Sequence, residues 1–358
     1  MTFKPQDFFR PEMLAETAYP VPSAAGMIKL DAMENPYDWP ETMIQAWLDH
    51  LRRARPNRYP DPKAPTLKAA LRDYAGVPEE ADILLGNGSD EIIQILLLAL
   101  VGQPQAAVMA PEPTFVMYRQ IARWLNLDFI GVPLKSDFHL DRDAMLAAVD
   151  RHRPKVVFLA YPNNPTGNLF DENTISEIIR RTPGLVVLDE AYAPFARSTW
   201  MDRIGEFSNL LVMRTLSKLG LAGLRLGFLA GNPEWLEQFE KLRLPYNINV
   251  LTQLTAEFAL SQGELFEQQT SRIRIDRETL STELGKLPCV ESFPSAANFI
   301  LFRAAEADRV FTALRQQGIL IKNLNPAGGL LRDCLRVTVG TPEENRAFLA
   351  ALRAAVAH

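Results

Sequence analysis

The sequence predicts an α/β protein with a mainly parallel seven-stranded sheet covered by helices and a smaller α+β domain beside it. Three observations lead there. Short apolar β-type runs recur between about residues 80 and 230, several of them alternate with helical patterns, and after Pro233 the character changes to long helices. Alternating strand and helix segments build a parallel sheet with helices on both faces. A lasting change of pattern marks a second unit with its own core.

Taken in order, prolines cluster in Tyr19-Pro20-Val21-Pro22 and Tyr59-Pro60-Asp61-Pro62, which read as extended arms or turns. The seven large-domain strands are expected at residues 83–85, 106–110, 129–134, 156–160, 185–188, 210–213 and 226–230. Gly86-Asn87-Gly88 follows the first of them directly, and Ser89 or Asp90 is expected to cap a helix running to about Leu100. A strand, a glycine-containing turn and a helix N-terminus make an anion site, because unpaired N–H groups and the helix dipole both favour a phosphate. Beyond Pro233, helices are expected through Glu257 and on to about Leu284, then strands at 299–302, 319–321 and 335–339, and a last helix over 342–355. On this reading residues 1–55 form an N-terminal arm and part of the small domain, 56–255 the large domain, and 256–358 the small C-terminal domain. A cleft between two such domains is the default place for a small-molecule site.

Composition excludes several classes of function. The chain has 358 residues with 47% apolar content, enough for two domains and a substantial core, so a disordered or fibrous protein is excluded. A net charge of -5 with dispersed basic residues leaves no electrostatic footprint for nucleic acid. Cys289 and Cys334 are far apart, and His50, His139, His152 and His358 form no paired motif, so no metal site is expected. The longest apolar run, residues 95–101, is far too short to span a bilayer, and the N-terminus lacks a signal-peptide pattern, which points to a soluble, cytoplasmic protein.

The richest segment is Thr215-Leu216-Ser217-Lys218-Leu219-Gly220-Leu221-Ala222-Gly223-Leu224-Arg225. Hydroxyls, an amine and a guanidinium converge there, a grouping suited to a lysine that holds an aldehyde cofactor with its phosphate beside it. Such a lysine must be a free amine, hence partly buried with a tuned pKa. Arg225 offers a fork of donors to phosphate, and the small residues let the backbone pass close to a bulky ligand. Tyr161-Pro162-Asn163-Asn164-Pro165-Thr166-Gly167 makes a tight turn after a strand and aims an Asn amide. Asp189, following apolar Val186-Val187-Leu188 at a strand's C-terminal end, reads as a buried carboxylate in need of a cationic partner such as a protonated pyridine nitrogen. Taken singly, each has a plainer role: Asp189 as a helix cap, Tyr192 and Phe115 as interior aromatics, Arg336 as a surface ion pair.

With these motifs the chain resembles the fold-type I pyridoxal-phosphate aminotransferases, and within them the histidinol-phosphate aminotransferase branch. The resemblance spans nearly the whole length and rests on the order and spacing of Asn35-Pro36-Tyr37, Asn57-Arg58-Tyr59-Pro60, Gly88-Ser89-Asp90-Glu91, Pro113-Thr114-Phe115, Asn164-Pro165-Thr166-Gly167, Asp189-Glu190-Ala191-Tyr192, Ser217-Lys218, Ala296-Ala297-Asn298-Phe299 and Leu335-Arg336-Val337-Thr338-Val339-Gly340. It implies pyridoxal 5'-phosphate as cofactor, Lys218 as the Schiff-base lysine and Asp189 as partner of the pyridine nitrogen. It implies that Tyr192 and Asn164 bond the ring hydroxyl oxygen and that Phe115 stacks on the ring. The phosphate would be held by Ser89 and Asp90 backbone N–H groups, Thr215, Ser217 and Arg225, with Tyr59 arriving from a neighbouring subunit of a homodimer with shared sites. Arg336 would clamp the substrate carboxylate, with Asn298 beside it.

The branch further implies reversible amino transfer between L-histidinol phosphate and 2-oxoglutarate, giving imidazole-acetol phosphate and L-glutamate, in histidine biosynthesis. Lys322 stands where many members of the branch carry an arginine that binds substrate anions, and Lys322, Arg336 and Tyr19 are the candidates for those contacts. The stretch from Lys218 to Arg225 is also one residue shorter than in some relatives. An aromatic amino acid aminotransferase and a threonine-phosphate decarboxylase-like enzyme are the alternatives within the same resemblance.

Overall fold

The computed structural model describes residues 3–18 and 21–356. Its strands are β1 (Ile28–Lys29), β2 (Asp82–Gly86), β3 (Ala107–Glu112), β4 (Asp128–Pro133), β5 (Val156–Ala160), β6 (Leu185–Asp189), β7 (Leu210–Thr215), β8 (Gly227–Gly231), β9 (Val290–Ser292), β10 (Phe299–Ala304), β11 (Ile319–Leu320), β12 (Lys322–Asn323) and β13 (Cys334–Thr338). Seven of them form the large sheet in the order β2-β8-β7-β6-β5-β3-β4. Its pairs are parallel except for those of β8, which runs antiparallel to both β2 and β7.

Both faces of this sheet are covered, which explains why its strands read as continuous apolar runs rather than alternating ones. Along β6, Val186 and Leu188 pack into one core cluster, whereas Leu185 and Val187 pack into another on the opposite face. A third cluster belongs to the small four-stranded sheet, ordered β12-β13-β10-β9, and includes Phe299, Phe302, Leu335, Val337, Phe348 and Leu352. Helix Gly263–Leu284, 22 residues and about 33 Å long at 1.5 Å per residue, links the two regions. Its Phe266 lies in the first cluster and its Ile273, Leu280 and Leu284 lie in the third.

Two features differ from the sequence expectation. The strand expected at 319–321 ends at Leu320: β11 pairs in parallel with β1, and beyond Ile321 the chain turns so that β12 pairs antiparallel with β13. A period-two pattern cannot show a strand changing partners midway. The helix expected to start with Ser89 or Asp90 as its cap spans Gly88–Leu98 and follows Asn87. No side chain caps it, and the Asn87 N–H instead donates to Glu91 Oε2 at 2.6 Å.

Candidate active site

The site lies where the C-terminal ends of parallel strands meet the small sheet, the general location of ligands in open α/β folds. Register aligns Ala160 of β5 with Asp189 of β6, and Asp189 with Met213 of β7, so the residues leaving these strands arrive at one level. A cavity there is lined by Met33, Ser89, Asp90, Phe115, Ala160, Asn164, Asp189, Ala191, Tyr192, Thr215, Ser217, Lys218 and Arg225. The structure thus brings together ten of the sequence-predicted residues in one concavity.

One end is built for an anion. Helix Gly88–Leu98 points its N-terminus into the cavity from directly after β2. Gly88 adopts φ +76°, and a side chain there would begin 2.8 Å from the Arg225 guanidinium. Gly227 on β8 faces the same turn, where a Cβ would come within 2.8 Å of Ser89 N. Two glycines therefore allow the strand, the helix start and the guanidinium to close around a small volume. Thr215 Oγ1 and Ser217 Oγ lie 3.0 Å apart, and Arg225 reaches Asp90 Oδ2 at 3.4 Å. Backbone N–H groups, two hydroxyls and a guanidinium are the donor set a phosphate dianion needs.

The opposite end is built for a cation. Asp189 is buried, and its carboxylate accepts from Tyr118 Oη at 2.6 Å and from Ala191 N at 3.1 Å. Burial pushes its pKa up to about 6, against the two hydrogen bonds, which lower it. A buried carboxylate held this way is completed by a positive partner such as a protonated ring nitrogen. Tyr192 is buried close by, edge-on to Phe299 at 5.1 Å.

Between the two ends stands Lys218, on a tight turn over Ser217–Leu221 in which Gly220 takes φ +127°. Behind the turn, Asn35 Nδ2 donates to Leu219 O and to Gln269 Oε1, both at 2.9 Å. Burial lowers the Lys218 pKa to about 8, reinforced by the positive charges of Arg336 and Arg225. Free amine therefore accumulates as pH rises through about 8 rather than through 10.5. Modification of Lys218 by an amine-selective reagent, followed by peptide mass spectrometry across pH 6–11, should accordingly show a midpoint near 8 in the cofactor-free protein; a midpoint near that of surface lysines would contradict the environment described.

Arg336 is buried on β13, where its Nη1 donates to Asn164 Oδ1 and its Nη2 to Asp31 O at 3.0 Å, with the guanidinium 5.1 Å from the Phe299 ring. Asn298 is fully buried and donates to Met33 O at 2.9 Å, while its Oδ1 has no hydrogen-bond partner among the described residues. Lys322 sits on β12 as the cross-strand neighbour of Arg336 and outside the cavity lining. Tyr59 also lies outside the lining; it is 81% exposed and stacks on Tyr246 at 4.4 Å. Tyr19 falls outside the described residues.

Sequence reasoning missed two contributors. Tyr118, one helical turn beyond Phe115, carries the phenol on Asp189, and only the spacing from Phe115 could have suggested it. The segment 31–33 delivers three successive carbonyls, from Asp31 to Arg336, from Ala32 to Lys218 Nζ at 3.0 Å, and from Met33 to Asn298. Backbone acceptors have no side-chain signature. Behind the site, Glu190 and Arg214 form a buried ion pair at 2.8 Å on the far side of β6 and β7.

Among the described residues, no group of three or more His, Cys, Asp or Glu is placed to hold a metal ion, and no helix is long and apolar enough to cross a membrane. Comparison with known proteins adds the lineage. The chain is 56% identical over 349 residues, 97% of each chain, to histidinol-phosphate aminotransferase 2 of Nitrosococcus oceani. It is 51% identical over 353 residues to histidinol-phosphate aminotransferase 1 of Burkholderia lata, covering 98% of this chain and 99% of that one. Its fold matches that of the histidinol-phosphate aminotransferase from Sinorhizobium meliloti in complex with pyridoxal-5'-phosphate, with a TM-score of 0.85 at 23% identity over 98% of both chains. A family model described as aminotransferase class I and II matches residues 25–352, and the chain belongs to that family.

Proposed function

We propose that this protein transfers an amino group reversibly between L-histidinol phosphate and 2-oxoglutarate, yielding imidazole-acetol phosphate and L-glutamate, with pyridoxal 5'-phosphate held at Lys218. The observation that carries the reading is a lysine of lowered pKa standing between an anion cradle and a buried carboxylate. The two relatives at 56% and 51% identity, both histidinol-phosphate aminotransferases, support the substrate.

The cavity lining supplies the donors and acceptors that this cofactor needs. Ser89 and Asp90 N–H groups, Thr215, Ser217 and Arg225 would take its phosphate; Asp189 would face its ring nitrogen; Asn164 and Tyr192 would serve its ring hydroxyl; Phe115 would cover a ring face. When bound, pyridoxal phosphate supplies a carbonyl that condenses with amines and a ring that accepts the electrons released as Cα loses its proton. Every other task falls to the protein. Asp189 holds a proton on the ring nitrogen by presenting its charge in a desolvated pocket. Lys218 Nζ, whose pKa of about 8 makes the free amine far more accessible than that of an ordinary lysine, takes the proton leaving Cα and returns it. Arg336 offers a carboxylate two parallel donors, and its contact with Asn164 ties substrate clamping to the cofactor's hydroxyl side. Lys322 adds positive charge one strand away, without the bidentate geometry of an arginine.

A homodimer with shared sites completes the reading. Tyr59 and Tyr246 stack at the surface, and Asn247 O accepts from Asn87 Nδ2 at 2.7 Å beside the anion cradle. A second copy covering this surface would bring its own Tyr59 to the phosphate. Tyr59→Phe is expected to weaken cofactor affinity about tenfold or more, the worth of one hydrogen bond to a charged acceptor. Sedimentation should give a dimer, and a fully active monomer would contradict this arrangement.

The substrate is tested by spectral titration of the cofactor-loaded enzyme, with histidinol phosphate beside phenylalanine and tyrosine. A half-reaction with histidinol phosphate is expected. Turnover of aromatic amino acids with none of histidinol phosphate would reassign the enzyme, and carbon dioxide release from phosphorylated threonine would do so differently.

A further inference from the structure

We propose that Tyr118 is a positioning residue for the reaction, its phenol holding the Asp189 carboxylate in the plane and charge state that a ring nitrogen requires. This rests on the reading of Asp189 as the ring-nitrogen partner. Tyr118 is fully buried, and its ring lies parallel to Phe158 at 4.5 Å and edge-on to Phe115 at 5.5 Å. The phenol therefore has little freedom to leave Asp189 Oδ2, which it meets at 2.6 Å, while Ala191 N occupies Oδ1. With one donor on each oxygen, the buried carboxylate cannot rotate without losing a bond. The same side chain also abuts Phe115, so one residue sets the ring's nitrogen contact and buttresses its stacking neighbour.

A donor to the carboxylate favours its ionised form, so the phenol opposes the effect of burial. The other ionisable groups acting on Asp189 and Tyr118 are Asp90 at the helix N-terminus, Glu190 next along the chain, and Tyr192. None of them changes when Tyr118 is altered. Tyr118→Phe keeps the aromatic contacts and removes only the hydroxyl.

Infrared titration of the cofactor-free protein reads the protonated Asp189 carboxyl as a band missing from Asp189→Asn. In Tyr118→Phe its midpoint should rise by about one pH unit or more, a tenfold or greater loss of acidity. Replacing Tyr118 with 3-fluorotyrosine, a stronger donor in the same shape, should move the midpoint down. A purely structural tyrosine would leave it unmoved in both, and that result would overturn the proposal. Binding of 4-deoxypyridoxine 5-phosphate, which has the ring and phosphate but no aldehyde, separates the two layers of inference. Equal affinity in Asp189→Asn and wild type would defeat the ring-nitrogen reading itself. Weakened binding in Asp189→Asn, with wild-type midpoint and affinity in Tyr118→Phe, would defeat the role of Tyr118 alone.

Discussion

Lys218→Ala should lower amino transfer by on the order of 10⁴-fold or more, because it removes the attachment amine and the base that moves the Cα proton together. Cofactor should still bind, since the phosphate cradle of the Gly88–Leu98 helix, Thr215, Ser217 and Arg225 does not involve the amine. The variant should therefore hold pyridoxal phosphate that dialyses away and lack the long-wavelength band of lysine-attached cofactor. Single-turnover measurements with histidinol phosphate give the rate, and spectra before and after dialysis report the attachment. Retention of that band in Lys218→Ala would remove the lysine from its assigned place, whatever the residual rate.

Asp189→Asn should cut kcat by on the order of 10²–10³-fold, the range for losing one preorganised electrostatic contact to developing charge. Its second effect has the opposite sign. The carboxyl titrates at about 6 in the folded protein against an ordinary 3.8, so the cofactor-free folded state binds the proton more tightly than the unfolded chain does. Stability then falls as pH rises from about 4 to about 6, and above that the ionised carboxylate costs about 3 kcal/mol, at 1.36 kcal/mol per pH unit. Asparagine carries no such charge. Cofactor-free Asp189→Asn should thus be more stable than wild type at pH 7 by about 1–3 kcal/mol, with the difference shrinking toward pH 4. Urea unfolding at the two pH values checks the sign. A variant less stable at pH 7 and as active as wild type would overturn both the buried charge and its catalytic use.

The parts of this fold legible in the sequence are those where one residue's chemistry is confined to one place. Strands β5, β6 and β7 show as apolar runs because both sheet faces are covered, and Lys218 stands out because hydroxyls and a guanidinium surround it. The split at 319–323 was not legible, since β11 and β12 differ only in which partner each pairs with. Nor was the uncapped helix start, where Asn87 donates its backbone N–H to Glu91 in place of accepting with its side chain. Tyr118 carries no signal in the sequence because the carboxylate that its phenol meets is 71 residues away. The three carbonyls of segment 31–33 belong to no side chain at all.

The buried Glu190–Arg214 pair explains why the motifs of this site are contiguous words. Pleating sends adjacent residues to opposite sides, so Asp189 and Thr215 face the cavity while Glu190 and Arg214, one position away on each chain segment, fasten the same strand ends from behind. Arg214 bonds Glu190 Oε2 through both Nε and Nη2, at 2.9 and 2.8 Å. Leaving the fully buried Glu190 carboxylate without Arg214 costs several kcal/mol, about 3–5 by comparison with other buried pairs. Two unrelated demands, chemistry on one face and mechanical closure on the other, are thereby written into neighbouring letters. A substitution tolerated by the reaction at one letter still has to be tolerated by the scaffold at the next, which leaves the Asp189-Glu190 and Arg214-Thr215 pairs little room to drift independently.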